Sequence, residues 1–316
     1  MEHRNLGRSG LTIPPLMVGG NVFGWTADAH TSGVVLDALA EAGLVAIDTA
    51  DLYSAWAPGH SGGESETVIG DWLRAEPARR AKVFIATKVG GKLGSGDGGL
   101  SPAWVAKACD NSLQRLGVER IDLYQAHFDD AETPLAETLG AFAKLVEAGK
   151  AAAIGCSNYS AARLREALDI SAAHGLPRYE SVQPEYNLMA RPSYEGALED
   201  LCVAEDVGVI TYFSLAAGFL TGKYRSDADL SKSPRGGNVA KYLNAKGTAV
   251  LTALDGVAAE LSATPAQVAL AWVMARRSVT AAIASATSLD QVTDLVSATR
   301  LGLSAANIEA LDAASA

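Results

Sequence analysis

The sequence predicts a closed (β/α)8, or TIM, barrel, one domain over residues 1–316, with an N-terminal β-hairpin and a C-terminal helical tail. Three observations predict it. Eight short apolar runs recur along the chain without the alternation of half-exposed strands, as buried parallel strands do. Helical patterns with their own start and stop signals lie between them. No long linker interrupts the series, and 48% of the residues are hydrophobic, enough for one large core. A doubly wound open sheet is the rival architecture, but eight evenly spaced units favour closure.

The expected strands are residues 15–20, 44–48, 82–88, 121–126, 151–155, 179–183, 208–212 and 280–284. Gly7–Gly10 marks a turn, so residues 1–13 are expected to form a hairpin capping the barrel bottom. Ser101-Pro102 and Thr264-Pro265 read as an N-cap followed by proline in the first helical turn, and Thr133-Pro134 is expected to do the same. Leu135, Leu139, Phe142 and Val146 share one face of that last helix, which Gly149 stops. Ser160 and Ser288 are expected caps for two more helices. Residues 216–246 are a long irregular stretch, a length that in compact domains is often functional. Residues 304–316 form the helical tail.

Composition narrows the function. The net charge is −10, from 36 acidic against 26 Lys and Arg residues, and no basic stripe runs along the chain. A nucleic-acid partner, which needs a basic footprint, is therefore not expected. No apolar run approaches the ~18 residues of a membrane span, and the first ten residues lack a signal-peptide core. A cytoplasmic protein acting on a small molecule is the expectation. Three widely spaced cysteines suggest buried thiols, and His and Cys show no metal-ligand spacing, so no metal is expected.

In this architecture chemistry sits at the C-terminal ends of the strands. There the second strand ends at Asp48 with Tyr53 just beyond it, the third at Lys88, and the fourth at His127. A charge closing an apolar strand needs a partner, and neighbouring strands can bring Asp48 to Lys88. The pair could merely fix strand register. Tyr53 and His127 shift the weight towards chemistry. A phenol beside an ammonium is expected to have a lowered pKa, tuned for proton transfer, with His127 bonding the same substrate oxygen. That set suits a carbonyl becoming an alcohol, or the reverse.

At these residues the chain resembles the aldo-keto reductase superfamily. The specific pieces are Asp48-Thr-Ala-Asp-Leu-Tyr53, Ala86-Thr87-Lys88, the run from Asp122 to His127, Gly155-Cys156-Ser157-Asn158 and the run from Gly218 to Tyr224. The resemblance implies that Asp48, Tyr53, Lys88 and His127 are the catalytic tetrad and that NADPH lies across the barrel top. It implies Ser157, Asn158 and Gln183 on the carboxamide and Tyr212 stacked on the ring. Leu215, Gly218, Leu220 and Lys223 would wrap the pyrophosphate, and Thr287, Gln291 and Asp294 would lie near the adenosine. The familiar Tyr-Ser-Pro-Leu reads Tyr212-Phe213-Ser214-Leu215 here, which departs at the pyrophosphate side. Residues 283–295 hold no Lys or Arg for a 2′-phosphate, so NADH is the alternative cofactor unless Arg235 or Lys241 supplies the charge.

Phe23, Trp25 and Trp56 follow the first two strands and are expected to wall an apolar substrate pocket. Residues 94–99 match G-x-G-x-x-G, but the helix begins only after the last glycine, so a plain loop is expected. Two other functions compete with reduction of an aldehyde or ketone. One is a non-catalytic, cofactor-sensing subunit similar to the potassium-channel β subunits. The other is a lyase or isomerase with Lys88 as Schiff-base nucleophile.

Overall fold

The computed structural model describes residues 2–93, 96–233 and 236–316. Eight parallel strands close on themselves: β3 (Leu16–Gly19), β4 (Ala46–Asp48), β5 (Phe84–Val89), β6 (Ile121–Ala126), β7 (Ala151–Ser157), β8 (Tyr179–Gln183), β9 (Gly208–Thr211) and β10 (Ala281–Ala284). They follow chain order around the barrel, and β10 pairs back onto β3 with Ala282 opposite Leu16. All eight expected strands are present, within one or two residues at most ends. Their continuous apolar character follows from burial on both faces.

The inner face carries Met17, Ala46, Ala86, Leu123, Ala153, Ile210 and Ala281, which fill the barrel with side chains. The outer face packs against the helices; Tyr124, next in line after Leu123, meets Phe142 with ring centroids 5.5 Å apart. At the N-terminal end the hairpin β1 (Arg4–Asn5) and β2 (Thr12–Ile13) inserts Leu6 and Ile13 as a plug, both fully buried. Gly7 turns that hairpin at φ +53°, and a Cβ there would stand 2.4 Å from the Glu180 carbonyl oxygen. Arg4 ties the plug down by donating to the Val279 and Met274 carbonyls at 2.9 and 2.8 Å.

Ten α-helices are present among the described residues: α1 (Ala29–Glu41), α2 (Glu64–Ala75), α3 (Pro102–Leu116), α4 (Leu135–Glu147), α5 (Ala161–His174), α6 (Ala197–Glu205), α7 (Ala245–Leu261), α8 (Pro265–Met274), α9 (Leu289–Ala298) and α10 (Ala305–Ala314). Ser101, Ser160, Thr264 and Ser288 cap helices, and Thr264 forms a capping box with Gln267. Thr133 does not. Its hydroxyl donates to Asp130 at 2.8 Å, and Pro134 itself occupies the cap position, its carbonyl accepting the first helical bonds. The described residues of 216–246 are less irregular than expected, holding three short 3-10 turns and the start of α7. Gly96–Gly99 belong to a loop before Ser101, while Gly94, Ser95 and Arg235 lie outside the described residues. Among the described residues no single helix is long and apolar enough to cross a membrane.

Candidate active site

The end of β4 sets the site. Beyond Asp48 the chain keeps pairing with β5 for three residues, with Thr49 N–H on the Ala86 carbonyl and Asp51 N–H on the Lys88 carbonyl. It then turns, with Ser54 at φ +72° and its hydroxyl on the Phe23 carbonyl at 2.8 Å. That turn brings Tyr53 back over the strand ends. On β5 the period of two sends Ala86 and Lys88 inward and Thr87 outward. Lys88 is wholly buried. Its Nζ donates to Asp48 Oδ2 at 2.7 Å, to the Thr49 carbonyl at 2.9 Å and to Tyr53 Oη at 2.9 Å. Three acceptors thus compensate its desolvation. Gln183 closes the far side of the pair, its Nε2 on Asp48 Oδ1 at 2.9 Å.

His127 follows β6 and is fixed by its backbone N–H on the Val89 carbonyl at 2.7 Å. Its ring meets Tyr53 edge to face, centroids 5.9 Å apart, and stacks on Phe128 at 4.5 Å. Burial and the nearby Lys88 charge hold the imidazole well below its usual pKa, so it is neutral at physiological pH. The phenol behaves differently from the sequence expectation. Burial, and after it the Asp48 charge, hold Tyr53 well above its usual pKa. Tyr53 is therefore a protonated donor at neutral pH rather than a group titrating there.

Asp48, Tyr53 and His127 face one cavity of about 820 Å³, and Lys88 lies directly behind them. Of the residues expected around a cofactor, Ser157, Asn158, Gln183, Tyr212, Leu215, Gly218, Lys223, Gln291 and Asp294 line that cavity. Several are already tied together. Tyr212 Oη donates to Asn158 Oδ1 at 2.8 Å, and Asn158 Nδ2 donates to the His127 carbonyl at 2.9 Å. Ala217 and Gly218 both hold φ above +50°, which keeps this wall thin. Leu220 does not reach the cavity; it is fully buried in the core. Thr287 also misses it, its N–H and hydroxyl both donating to Gln291 Oε1 at the surface. Lys241 lies over the Tyr242 ring and does not line the cavity either.

Trp25 and Trp56 do wall the pocket, edge to face at 5.6 Å, with Trp56 6.1 Å from the Tyr53 ring. Phe23 is not a pocket wall: it is fully buried, packed into the core beneath. Sequence reasoning missed Leu52, Phe128 and Phe213. Phe128 and Phe213 are 42% and 46% exposed, and the signal the sequence held is that each directly follows a strand-end residue, His127 and Tyr212. Cys109, Cys156 and Cys202 are buried free thiols. Among the described residues no group of three or more His, Cys, Asp or Glu is placed to hold a metal ion.

Comparison with known proteins identifies the family. The model of the aldo/keto reductase family matches residues 15–316. An uncharacterized oxidoreductase of Bacillus subtilis (strain 168), YrpG, is 32% identical over 312 residues, covering 96% of this chain and 92% of its own length. The L-glyceraldehyde 3-phosphate reductase of Escherichia coli O157:H7 is 31% identical over 94% of this chain and 87% of its own. A probable voltage-gated potassium channel subunit beta of Oryza sativa subsp. japonica is 31% identical over 93% of this chain and 90% of its own. With its eight-stranded barrel and a family match over nearly all its length, the chain belongs to the aldo/keto reductase family and is an NAD(P)-dependent oxidoreductase.

Proposed function

We propose that the chain moves a hydride between NADPH and an aldehyde or ketone, in either direction, with Tyr53 as general acid and base. The observation that carries this is the Asp48–Lys88–Tyr53 chain of contacts at the wall of a cavity that also holds His127. A bound nicotinamide dinucleotide supplies the hydride that reaches the carbonyl carbon. Ser157, Asn158, Gln183 and Tyr212 would hold its reactive end, Leu215, Gly218 and Lys223 its middle, and Gln291 and Asp294 its far end. Tyr53 gives its phenolic proton to the substrate oxygen as charge builds there, and Lys88 offsets the tyrosinate that is left. Neutral His127 donates an N–H to the same oxygen. Lys88 is wholly buried and held by three oxygens, which argues against a Schiff-base role.

Recognition of a 2′-phosphate normally takes Arg or Lys. Lys223 is the one lysine or arginine among the described residues lining the cavity. NADH is the second reading, favoured by the Asp294 carboxylate at the far end, which would repel a 2′-phosphate. The test is fluorescence titration with both cofactors, followed by turnover over a carbonyl and alcohol panel. Tight binding with turnover supports the proposal. Binding without turnover on any substrate would instead favour a non-catalytic, cofactor-sensing subunit; the rice relative is named a probable voltage-gated potassium channel subunit beta.

The substrate end is apolar. Leu52, Trp25, Trp56 and Phe128 line the same cavity as Tyr53, and the Lys88 ammonium behind it is already engaged with Asp48. Uncharged carbonyls with an apolar body are the proposed substrates. Trp56→Ala is expected to raise KM for an aromatic aldehyde by about tenfold with a smaller change in kcat, as loss of apolar pocket contact does. An unchanged KM for the aromatic aldehyde would remove Trp56 from the pocket.

A further inference from the structure

Behind the tetrad lies a buried acid that the mechanism leaves without a role. Asp51 sits on the turn between Asp48 and Tyr53 and is 2% exposed. Its backbone N–H bonds the Lys88 carbonyl at 3.1 Å. Neither carboxyl oxygen has a partner within hydrogen-bond geometry, although the neighbouring Leu52 amide favours the charged form. Three carboxyls meet here: Asp48, Asp51 and, from α2, the fully buried Glu66. Two cations face them, Lys88 from β5 and Arg115 from α3.

Both cations are taken. Lys88 holds Asp48 at 2.7 Å. Arg115 holds Glu66 Oε2 through Nε at 2.7 Å and Nη2 at 2.6 Å, and the Thr87 hydroxyl bonds Glu66 Oε1 at 2.6 Å. From β6 the Tyr124 hydroxyl faces the same cluster, buried and unbonded, and its charge state couples to Asp51 and Glu66. Two cations balance two carboxylates. A third charge, unpaired and without donors in a buried site, is the costly one, and protonation removes it. Burial first, then Glu66, pushes the Asp51 carboxyl up to about 8, while Arg115 and Lys88 pull the other way.

We infer that Asp51 is a positioning residue that holds a proton in the working enzyme and keeps the charge around Lys88 balanced. In this state Lys88, bonded to Tyr53 Oη at 2.9 Å, offsets the tyrosinate formed when Tyr53 gives up its proton. Loss of the Asp51 proton adds a negative charge beside Lys88 and Glu66. That charge opposes a second one on Tyr53, makes the phenol a weaker acid, and slows reduction. The kinetic part rests on Tyr53 being the proton donor; the protonation of Asp51 does not.

The variant is Asp51→Asn, the same shape without a titrating proton. Wild-type kcat for reduction, with saturating cofactor, is expected to fall as pH rises through about 8. In Asp51→Asn, kcat at pH near 6.5 should stay within about twofold, and the alkaline limb should move up by at least one unit, a loss-of-titration effect. A limb in the same place, or kcat lost at low pH in a folded variant, overturns the inference.

Two readouts need no turnover. Infrared spectra of the wild type at pH 6.5 should contain the carbonyl stretch of a protonated buried carboxyl, absent from Asp51→Asn and from the wild type well above pH 8. No such difference band overturns the inference whatever the kinetics do. The second readout is stability. An unfolded Asp titrates near pH 3.9, and the folded one is raised, so the contribution of Asp51 to wild-type stability is full below that pH and is lost as pH climbs towards about 8. Asp51→Asn lacks this fall, so its Tm advantage over wild type should grow between pH 5 and 8. An advantage that stays constant contradicts a bound proton. A chain that turns over nothing, yet shows the band, sinks the role of Tyr53 and leaves the Asp51 proton standing.

Discussion

Replacing Tyr53 by Phe is expected to lower kcat by roughly 10²–10⁴-fold, the usual contribution of a positioned general acid, while leaving dinucleotide Kd nearly unchanged. The substitution removes one hydroxyl and keeps the ring, which packs on Trp56 at 6.1 Å and on His127 at 5.9 Å. Lys88 loses one of three acceptors but keeps Asp48 and the Thr49 carbonyl. The fold and the cavity should therefore survive. His127 remains to polarise the carbonyl, so some residual turnover is expected. Steady-state kinetics paired with fluorescence titration separates the two effects. Full turnover in the variant would assign the proton to another group.

Lys88→Met is expected to lose activity and also to cost about 3–5 kcal/mol of stability, because it leaves a buried carboxylate without its cation. Asp48 is 1% exposed and would keep only the Gln183 amide and the Tyr53 hydroxyl. Denaturant unfolding measures the loss. The double variant Asp48→Asn/Lys88→Met removes both charges and should recover most of the stability, since neither partner is left unpaired. It should not recover turnover. Recovery of both would make the pair only a strand-register device; recovery of neither would mean the site tolerates no neutral replacement.

Much of the barrel was legible because burial on both faces leaves an unmistakable run of apolar residues, and β6 and β8 were delimited to the residue. The tetrad's neighbourhood was legible for a related reason. A charge such as Lys88, closing Phe84-Ile85-Ala86-Thr87, demands a partner nearby. Side-chain direction beyond the strand ends was not. Phe23 and Trp25 are two residues apart, yet one packs into the core and the other faces the cavity. Leu220 and Thr287 lie near cavity-lining residues in the chain but turn away. Pro134 displaced Thr133 from its cap because Asp130 competes for the hydroxyl. Asp51 lies within the Asp48–Tyr53 motif, but nothing local marks that turn as sealed by α2 and α3. The direction of the Tyr53 shift was misjudged because a pairwise view counts the ammonium and omits desolvation.

The most direct measurement follows the hydride itself. Reduction of an aromatic aldehyde is run with NADPH, and in parallel NADH, deuterated at the nicotinamide C4 position that donates. Deuterium is expected at the carbinol carbon of the alcohol, one atom per turnover, with the hydroxyl proton drawn from solvent by way of Tyr53. Alcohol formed without label at that carbon, or label found only in solvent, would contradict direct transfer across the Tyr53, Lys88 and His127 cluster.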